Sequence, residues 1–218
     1  MKNALICFTR VPKPGQTKTR LLPVLKPQQC VELHWAFLND LADVYQHVSA
    51  HLFVCYVPDP DWESLKSVFP NAGFIPQKGS DLGEKMYRAI RDVTGLGYES
   101  VVLTGADLPM MTPDHLSSGF DVLATHDVAI GPTSDGGYYL IGMNQPHRDV
   151  FHVEGYGGAS VFEDTVSAAL NAGLSVGTAM TCDDVDTPED LRNLAKTVHP
   201  SSHTGRYLAE LQKEGLKL

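Results

Sequence analysis

The sequence has no long apolar run. None approaches the ~18–20 residues that cross a bilayer as a helix, so no membrane-spanning helix is expected. Residues 1–25 lack the layout of a signal peptide, because the short apolar run after Lys2 is followed at once by Arg10, Lys13 and Lys18. A cytoplasmic protein is the expectation. Cysteine is scarce and scattered. Cys7, Cys30, Cys55 and Cys182 form no C-x-x-C pair, and three lie in apolar stretches, which predicts buried reduced thiols rather than disulfides or zinc ligands. The nine histidines show no H-E-x-x-H spacing. Basic residues are outnumbered 17 to 26, and the net charge of −9 argues against a general nucleic-acid binder. Neither G-x-x-x-x-G-K-[ST] nor G-x-G-x-x-G follows the first apolar run, which argues against a Walker A loop and a dinucleotide-binding fingerprint. No repeat, low-complexity tract or linker interrupts the 218 residues, so one domain is expected, with a core over about 3–197 and a helical tail over 199–218.

What is present is an alternation of short apolar runs with helical periodicity. Ala4–Phe8 reads as a buried strand. Val31, Trp35, Leu38, Leu41 and Tyr45 recur every three or four residues and predict a helix over Pro27–Gln46. Strands follow at Leu52–Val57, Phe74–Pro76, Ser100–Thr104, Val128–Ile130, Tyr138–Met143 and Leu174–Ala179. Helices follow at Trp62–Phe69, Leu82–Val93, Pro113–Ala124, Ala159–Asn171, Pro188–Thr197 and Gly205–Lys213. Strands without polar interruption, alternating with helices, imply an α/β fold with a mostly parallel central sheet and helices on both faces. Asp135-Gly136-Gly137 between two strands is a hairpin signal and adds one antiparallel element.

Three segments carry chemistry. The first strand runs into Arg10-Val11-Pro12-Lys13-Pro14-Gly15-Gln16-Thr17-Lys18-Thr19-Arg20, and five of the 17 basic residues fall in the first 20 positions. Proline and Gly15 prevent regular structure, Gly15 lets backbone N–H groups turn to a ligand, and Lys18 and Arg20 can neutralise phosphate. A solvated basic loop is the bland alternative. The other two segments are acidic: Gly105-Ala106-Asp107-Leu108-Pro109 and Asp184-Val185-Asp186-Thr187-Pro188. Each follows a strand, and an open parallel sheet binds ligands at the carboxyl ends of its strands. Two carboxylates at that edge suit one hard cation, Mg²⁺ or Mn²⁺, carrying phosphate. Asp107 stands too far before Thr112 to cap the next helix. Asp184 and Asp186 have a competing explanation, since Thr187-Pro188-Glu189-Asp190 is a good helix start and the two acids could simply add to it.

These segments, with Gln77-Lys78-Gly79-Ser80-Asp81-Leu82-Gly83 and Asp135-Gly136-Gly137-Tyr138-Tyr139 between them, resemble in order the motifs of the GT-A-fold nucleotide-diphospho-sugar transferases. The resemblance is to a small bacterial family of GT-A-like glycosyltransferases of unknown function, and the first loop is also similar to that of the phospholactate guanylyltransferases. It spans about residues 3–195. It implies a single-domain GT-A, Rossmann-like fold, with Asp107 and Asp186 as metal ligands and Lys18, Arg20 and Asp107 as the catalytic set. Nucleotide contacts would come from Arg10, Gly15, Lys18, Arg20, Gln77, Gly79, Asp81 and Gly105. An acceptor or sugar pocket would form from Asp135, Gly136, Gly137, Tyr138 and Tyr156. Ser80 as a helix cap and an ordinary hairpin are the structural alternatives for two of these segments. In Glu154-Gly155-Tyr156-Gly157-Gly158 the chain departs from the family, whose members tend to carry Trp, a small residue and Thr or Ser. The implied activity is Mg²⁺- or Mn²⁺-dependent transfer from a nucleotide sugar to a small acceptor. Nucleotidyl transfer with release of pyrophosphate is one alternative, and non-catalytic nucleotide-sugar binding is another. Base, sugar, acceptor and oligomeric state stay open at this level.

Overall fold

The first strand, β1 (Asn3–Thr9), is apolar on both faces, and this puts it at the centre of the molecule. Leu5 and Cys7 point one way and Ala4 and Ile6 the other, all fully buried. The computed structural model describes residues 2–153 and 155–216; Glu154, which heads the glycine-rich segment, lies outside them. After β1 come α1 (Pro27–Tyr45), β2 (His51–Tyr56), β3 (Gly73–Pro76), α2 (Leu82–Thr94) and β4 (Ser100–Thr104). Then follow α3 (Pro113–Leu123), β5 (Val128–Pro132), β6 (Tyr138–Met143), α4 (Val161–Asn171), β7 (Val176–Thr178), α5 (Pro188–Thr197) and α6 (His203–Lys213). Among the described residues no helix is long and apolar enough to cross a membrane. The four cysteines are free and buried.

The strands form one seven-stranded sheet in the order β3-β2-β1-β4-β6-β5-β7. All neighbours are parallel except β6, which runs against both β4 and β5. The fold is therefore α/β with a mostly parallel sheet. On one face Leu5 and Cys7 pack with Leu38 and Leu41 of α1 and with Leu116 and Leu123 of α3. On the other, Ala4 and Ile6 pack with Met86 and Ile90 of α2 and with Ala169 of α4.

Two features of this topology fix where a ligand can sit. From β1 the chain builds outward to β2 and β3, then returns to place β4 on the other side of β1. The order of strands reverses at β1/β4, and a crevice opens outside the carboxyl ends of those two strands. Because β6 is reversed, its first residue, Tyr138, lies at that same edge, with Leu140 opposite Thr104.

A third apolar cluster lies below the crevice. It joins Leu21 of the first loop to Phe37 of α1, Val185 of the second acidic motif, Leu191 of α5 and Leu208 of α6. The last helix begins two residues earlier than its apolar periodicity suggests. Ser202 accepts the Gly205 N–H at 2.9 Å, and the buried Asp40 of α1 accepts the His203 and Thr204 N–H groups at 2.7 and 2.9 Å. Asp40→Ala leaves those donors without partners. It should destabilise the protein by about 1–3 kcal/mol and lower the melting temperature by several degrees, with no effect on ligand binding; a thermal melt and a binding titration check the two halves.

Candidate active site

The first loop is held by its own turn. Gln16 and Thr17 donate N–H to the Lys13 carbonyl, both at 3.1 Å, and Lys13 N–H reaches the buried Thr17 hydroxyl at 2.9 Å. Gly15, at the turn's tip, has φ +72°. The Lys13 ammonium turns away, to Asp59 at 2.7 Å and Asp61 at 3.1 Å. Lys18 has φ +50° and is the one non-glycine in the left-handed region among the described residues, which costs on the order of 1 kcal/mol. A single 3₁₀ turn, Thr19–Leu21, follows and is pinned by the fully buried Leu21.

That backbone sends the Lys18 side chain inward, where only 3% of it is exposed. Its ammonium lies 2.6 Å from the Val185 carbonyl, 2.7 Å from Asp107 Oδ1 and 3.2 Å from Asp186 Oδ1. The two acidic motifs are also joined directly, as Val185 N–H donates to the Asp107 carbonyl at 2.9 Å. Burial of Val185 explains the Asp-Val-Asp pattern. In an extended segment the apolar residue turns down into the core, and its two neighbours turn up into the crevice.

Asp107 keeps 39% of its side chain exposed to the crevice, but Oδ1 is buried. Lys18 Nζ and His34 Nδ1, the latter at 3.2 Å, approach that oxygen. The Lys18 ammonium at 2.7 Å and the His34 ring nitrogen both hold Oδ1. Burial would raise this carboxyl; the Lys18 charge and the adjoining His34 outweigh it and hold it well below the usual carboxylate range. The other nitrogen of His34 lies 3.4 Å from the Thr9 hydroxyl.

The helix-cap alternative for Asp186 fails on geometry. Thr187 is the cap of α5, accepting the Asp190 N–H at 3.3 Å, and the Asp190 carboxylate accepts N–H groups from Thr187 and Asp186 at 2.7 and 3.1 Å. The Asp186 carboxylate faces the other way, to Lys18 and to Arg20 at 3.3 Å. Thr187→Ala should therefore cost about 1 kcal/mol of stability through the lost cap, which a thermal melt checks. Asp184 also faces the crevice. Burial, with the charge of Asp186 beside it, pushes its carboxyl up to about 6. Asp183 has a structural use, accepting Ser134 N–H at 2.6 Å and the Ser134 hydroxyl at 2.9 Å.

The β5–β6 turn closes the far wall. Asp135 accepts the Thr133 hydroxyl at 2.5 Å and Gly137 N–H at 3.1 Å, and these bonds lower its carboxyl pKa. Gly136 has φ +90°, and its carbonyl accepts Phe162 N–H of α4 at 2.9 Å. Tyr138 and Tyr139 point to opposite faces, but both line the crevice because it lies across the end of the sheet. Tyr139 donates to the Met180 carbonyl at 3.0 Å, while the Tyr138 hydroxyl is buried with no aligned partner. Tyr156, Gly157 and Gly158 form the rim above them.

The result is one crevice of about 680 Å³, the size of a small-ligand site. Arg10, Lys18, Arg20, Gln77, Gly105, Asp107, Asp135, Gly137, Tyr138, Tyr156 and Asp186 line it. Gly15, Gly79, Asp81 and Gly136 do not. Asp81, rather than Ser80, caps α2, accepting Glu84 N–H at 2.8 Å, and Ser80 binds the Glu84 carboxylate instead. The Gln77 amide nitrogen is spent on the Thr9 and Cys55 carbonyls at 3.2 and 3.1 Å, so only its carbonyl oxygen is left for a ligand. His34 and Lys85 line the crevice without having been singled out from sequence. His34 is three residues from Val31 and falls within the helical apolar stripe, so it reads as core; Lys85 reads as surface.

Among the described residues, one trio of acidic and histidine groups has ligand atoms within 4.8 Å of one another: Asp40, Asp43 and His203, none of which lines the crevice. Both Asp40 oxygens there already accept backbone N–H groups. At the crevice, Lys18 stands between the carboxylates. Asp107 and Asp186, on either side of that ammonium, are two carboxylates of the kind that suit a hard divalent ion; Asp184 faces the same crevice without closing a three-ligand cluster with them.

Comparison with known proteins gives the same fold. The family described as "Uncharacterized protein conserved in bacteria (DUF2064)" matches residues 40–157. A crystal structure from Desulfovibrio desulfuricans G20, provisionally assigned as a nucleotide-diphospho-sugar transferase, is 34% identical and has a TM-score of 0.89, covering 98% of this chain and 96% of that one. The 2-phospho-L-lactate guanylyltransferase of Methanosarcina barkeri is 28% identical over 202 residues, 91% of this chain and 89% of the relative. The manganese complex of Rv0371C from Mycobacterium tuberculosis H37Rv has a TM-score of 0.54 over 91% of this chain and all of that one; at 13% identity the likeness is one of fold.

Proposed function

The chain belongs to the bacterial family DUF2064, and from that premise we propose that it is a nucleotidyltransferase, moving a nucleoside monophosphate from a nucleoside triphosphate to a small acceptor. The observation that carries the reading is the convergence of Lys18, Asp107 and Asp186 at the switch point of the sheet. The similarity to a guanylyltransferase over nearly the whole chain favours nucleotidyl over glycosyl transfer.

In this reading an oxygen of the acceptor bonds to the α-phosphorus. The bond from that phosphorus to the bridging oxygen breaks, and pyrophosphate leaves with the electron pair. Asp107 and Asp186 would hold a Mg²⁺ or Mn²⁺ ion, which would supply Lewis-acid neutralisation of the phosphate oxygens. Arg10, Lys18 and Arg20 bind the triphosphate and stabilise charge on the departing pyrophosphate. Gln77 Oε1 accepts from the base or ribose. Gly137, Tyr138 and Tyr156 border the acceptor end. Positioning and charge neutralisation are the main requirements of such a transfer, and the crevice is built of groups that provide them.

A second reading, transfer of a sugar from a nucleotide sugar, is favoured by the name given to the 34% identical structure. Incubation with Mg²⁺, a panel of triphosphates and nucleotide sugars, and a panel of hydroxylated and phosphorylated acceptors separates the two. Release of pyrophosphate supports nucleotidyl transfer. Release of a nucleoside diphosphate supports glycosyl transfer and contradicts the first reading. Tight nucleotide binding with no turnover would point to a binding protein.

A further inference from the structure

Lys18 stands where the cation of the proposed site would be. An ammonium group has three protons to donate, and three oxygens from three positions surround Lys18 Nζ within 3.2 Å: the Val185 carbonyl, Asp107 Oδ1 and Asp186 Oδ1. The side chain is almost fully buried, and its ammonium also lies 5.2 Å from the centre of the Phe37 ring. A phosphate-binding lysine on a solvated loop would stand free to meet its ligand, whereas this one is fully engaged with protein. Reaching its seat also requires a left-handed backbone that a lysine adopts at some cost.

We propose that Lys18, before it meets the triphosphate, competes with the divalent cation for the Asp107–Asp186 seat, so that metal and triphosphate enter together. The proposal rests on the metal-dependent reading above. An ammonium and a divalent ion repel, and here they would share the same two carboxylates, so the ion binds well there only when the ammonium leaves. Lys18 sits one residue from Thr19 and two from Arg20 on the loop that lines the crevice, so a triphosphate along that loop offers the ammonium new anionic partners. Lysine exchanges one anion for another as the seat passes to the metal, and the Asp107 and Asp186 charges are compensated throughout. Metal alone has no such exchange to offer and binds weakly. The device makes nucleotide and metal binding mutually reinforcing, as linkage requires when each displaces the same lysine.

The test is Mn²⁺ affinity of the protein without nucleotide, read from the electron paramagnetic resonance signal of free Mn²⁺. Lys18→Met keeps the buried stem and removes the charge. Lys18→Gln keeps a donor for the Val185 carbonyl and serves as a second variant if Met fails to fold, with circular dichroism as the check. Both are expected to bind Mn²⁺ at least about tenfold more tightly than the wild type, and adding Asp107→Asn is expected to remove the gain. If folded Lys18 variants bind Mn²⁺ no more tightly than the wild type, while Asp107→Asn and Asp186→Asn weaken binding, the competition is overturned and the metal site stands. If none of these substitutions changes Mn²⁺ affinity, the metal site and the competition fall together.

Discussion

Asp107→Asn is expected to lower Mg²⁺-dependent turnover by about 10²–10³-fold or more, while the protein remains folded. Asparagine has nearly the shape of aspartate, so the buried position next to His34 and Lys18 stays filled. What is lost is the negative charge facing the crevice. The Lys18 ammonium keeps the Val185 carbonyl and Asp186 as partners, which limits the structural cost of unpairing a buried cation. Asp107 is not a helix cap, and its backbone carbonyl, which holds Val185 N–H, is unaffected by the substitution. Steady-state rates with a thermal melt check both halves. Turnover within about threefold of the wild type would remove Asp107 from the chemistry.

Gly136→Ala has the largest expected effect on stability. A Cβ at this position would fall 1.9 Å from the Ala159 carbonyl oxygen and 2.7 Å from its carbon, and both are backbone atoms with little freedom to move. The φ of +90° adds left-handed strain to the collision. The start of α4 must separate from the β5–β6 turn, breaking the bond from Phe162 N–H to the Gly136 carbonyl. About 3–5 kcal/mol is expected from overpacking and strain together, a fall of roughly 10 °C or more in melting temperature. Gly15→Ala is the control. Its φ is +72°, but a Cβ there meets nothing within 4 Å, so only about 1 kcal/mol of strain is expected. Equal losses in the two variants would show that backbone conformation alone, and not the α4 contact, makes Gly136 necessary.

The sheet was legible because burial on both faces leaves an unmistakable mark: β1 and β4 contain no charged residue, and their limits follow from that. The reversed β6 was legible from Asp135-Gly136-Gly137. Helix ends set by tertiary partners were not, as α6 shows, where a carboxylate 163 residues away caps the first turn. The acidic motifs could be read as strand-end carboxylates, but the choice between cap and ligand for Asp186 needed the direction of its side chain. The Thr187–Asp190 pair takes over the capping, a division of labour that spacing alone leaves undecided. His34 was hidden for the opposite reason: a buried histidine that borders the crevice has the same periodicity as one in the core. Asp81 carries a carboxylate suited to a nucleoside, but it caps α2, while Gln77 gives its amide nitrogen to backbone carbonyls and keeps only its oxygen at the crevice.

In the proposed function the Asp107–Asp186 edge and the Arg10–Arg20 loop form one metal–triphosphate site. Crystals grown or soaked with Mn²⁺ and a non-hydrolysable GTP analogue, measured at the manganese absorption edge, test it most directly. An anomalous peak bonded to Asp107 and Asp186 is expected, with the triphosphate against Lys18 and Arg20 and the Lys18 ammonium moved off the carboxylates. A peak confined to Asp40, Asp43 and His203, or a triphosphate bound away from the first loop, would contradict it.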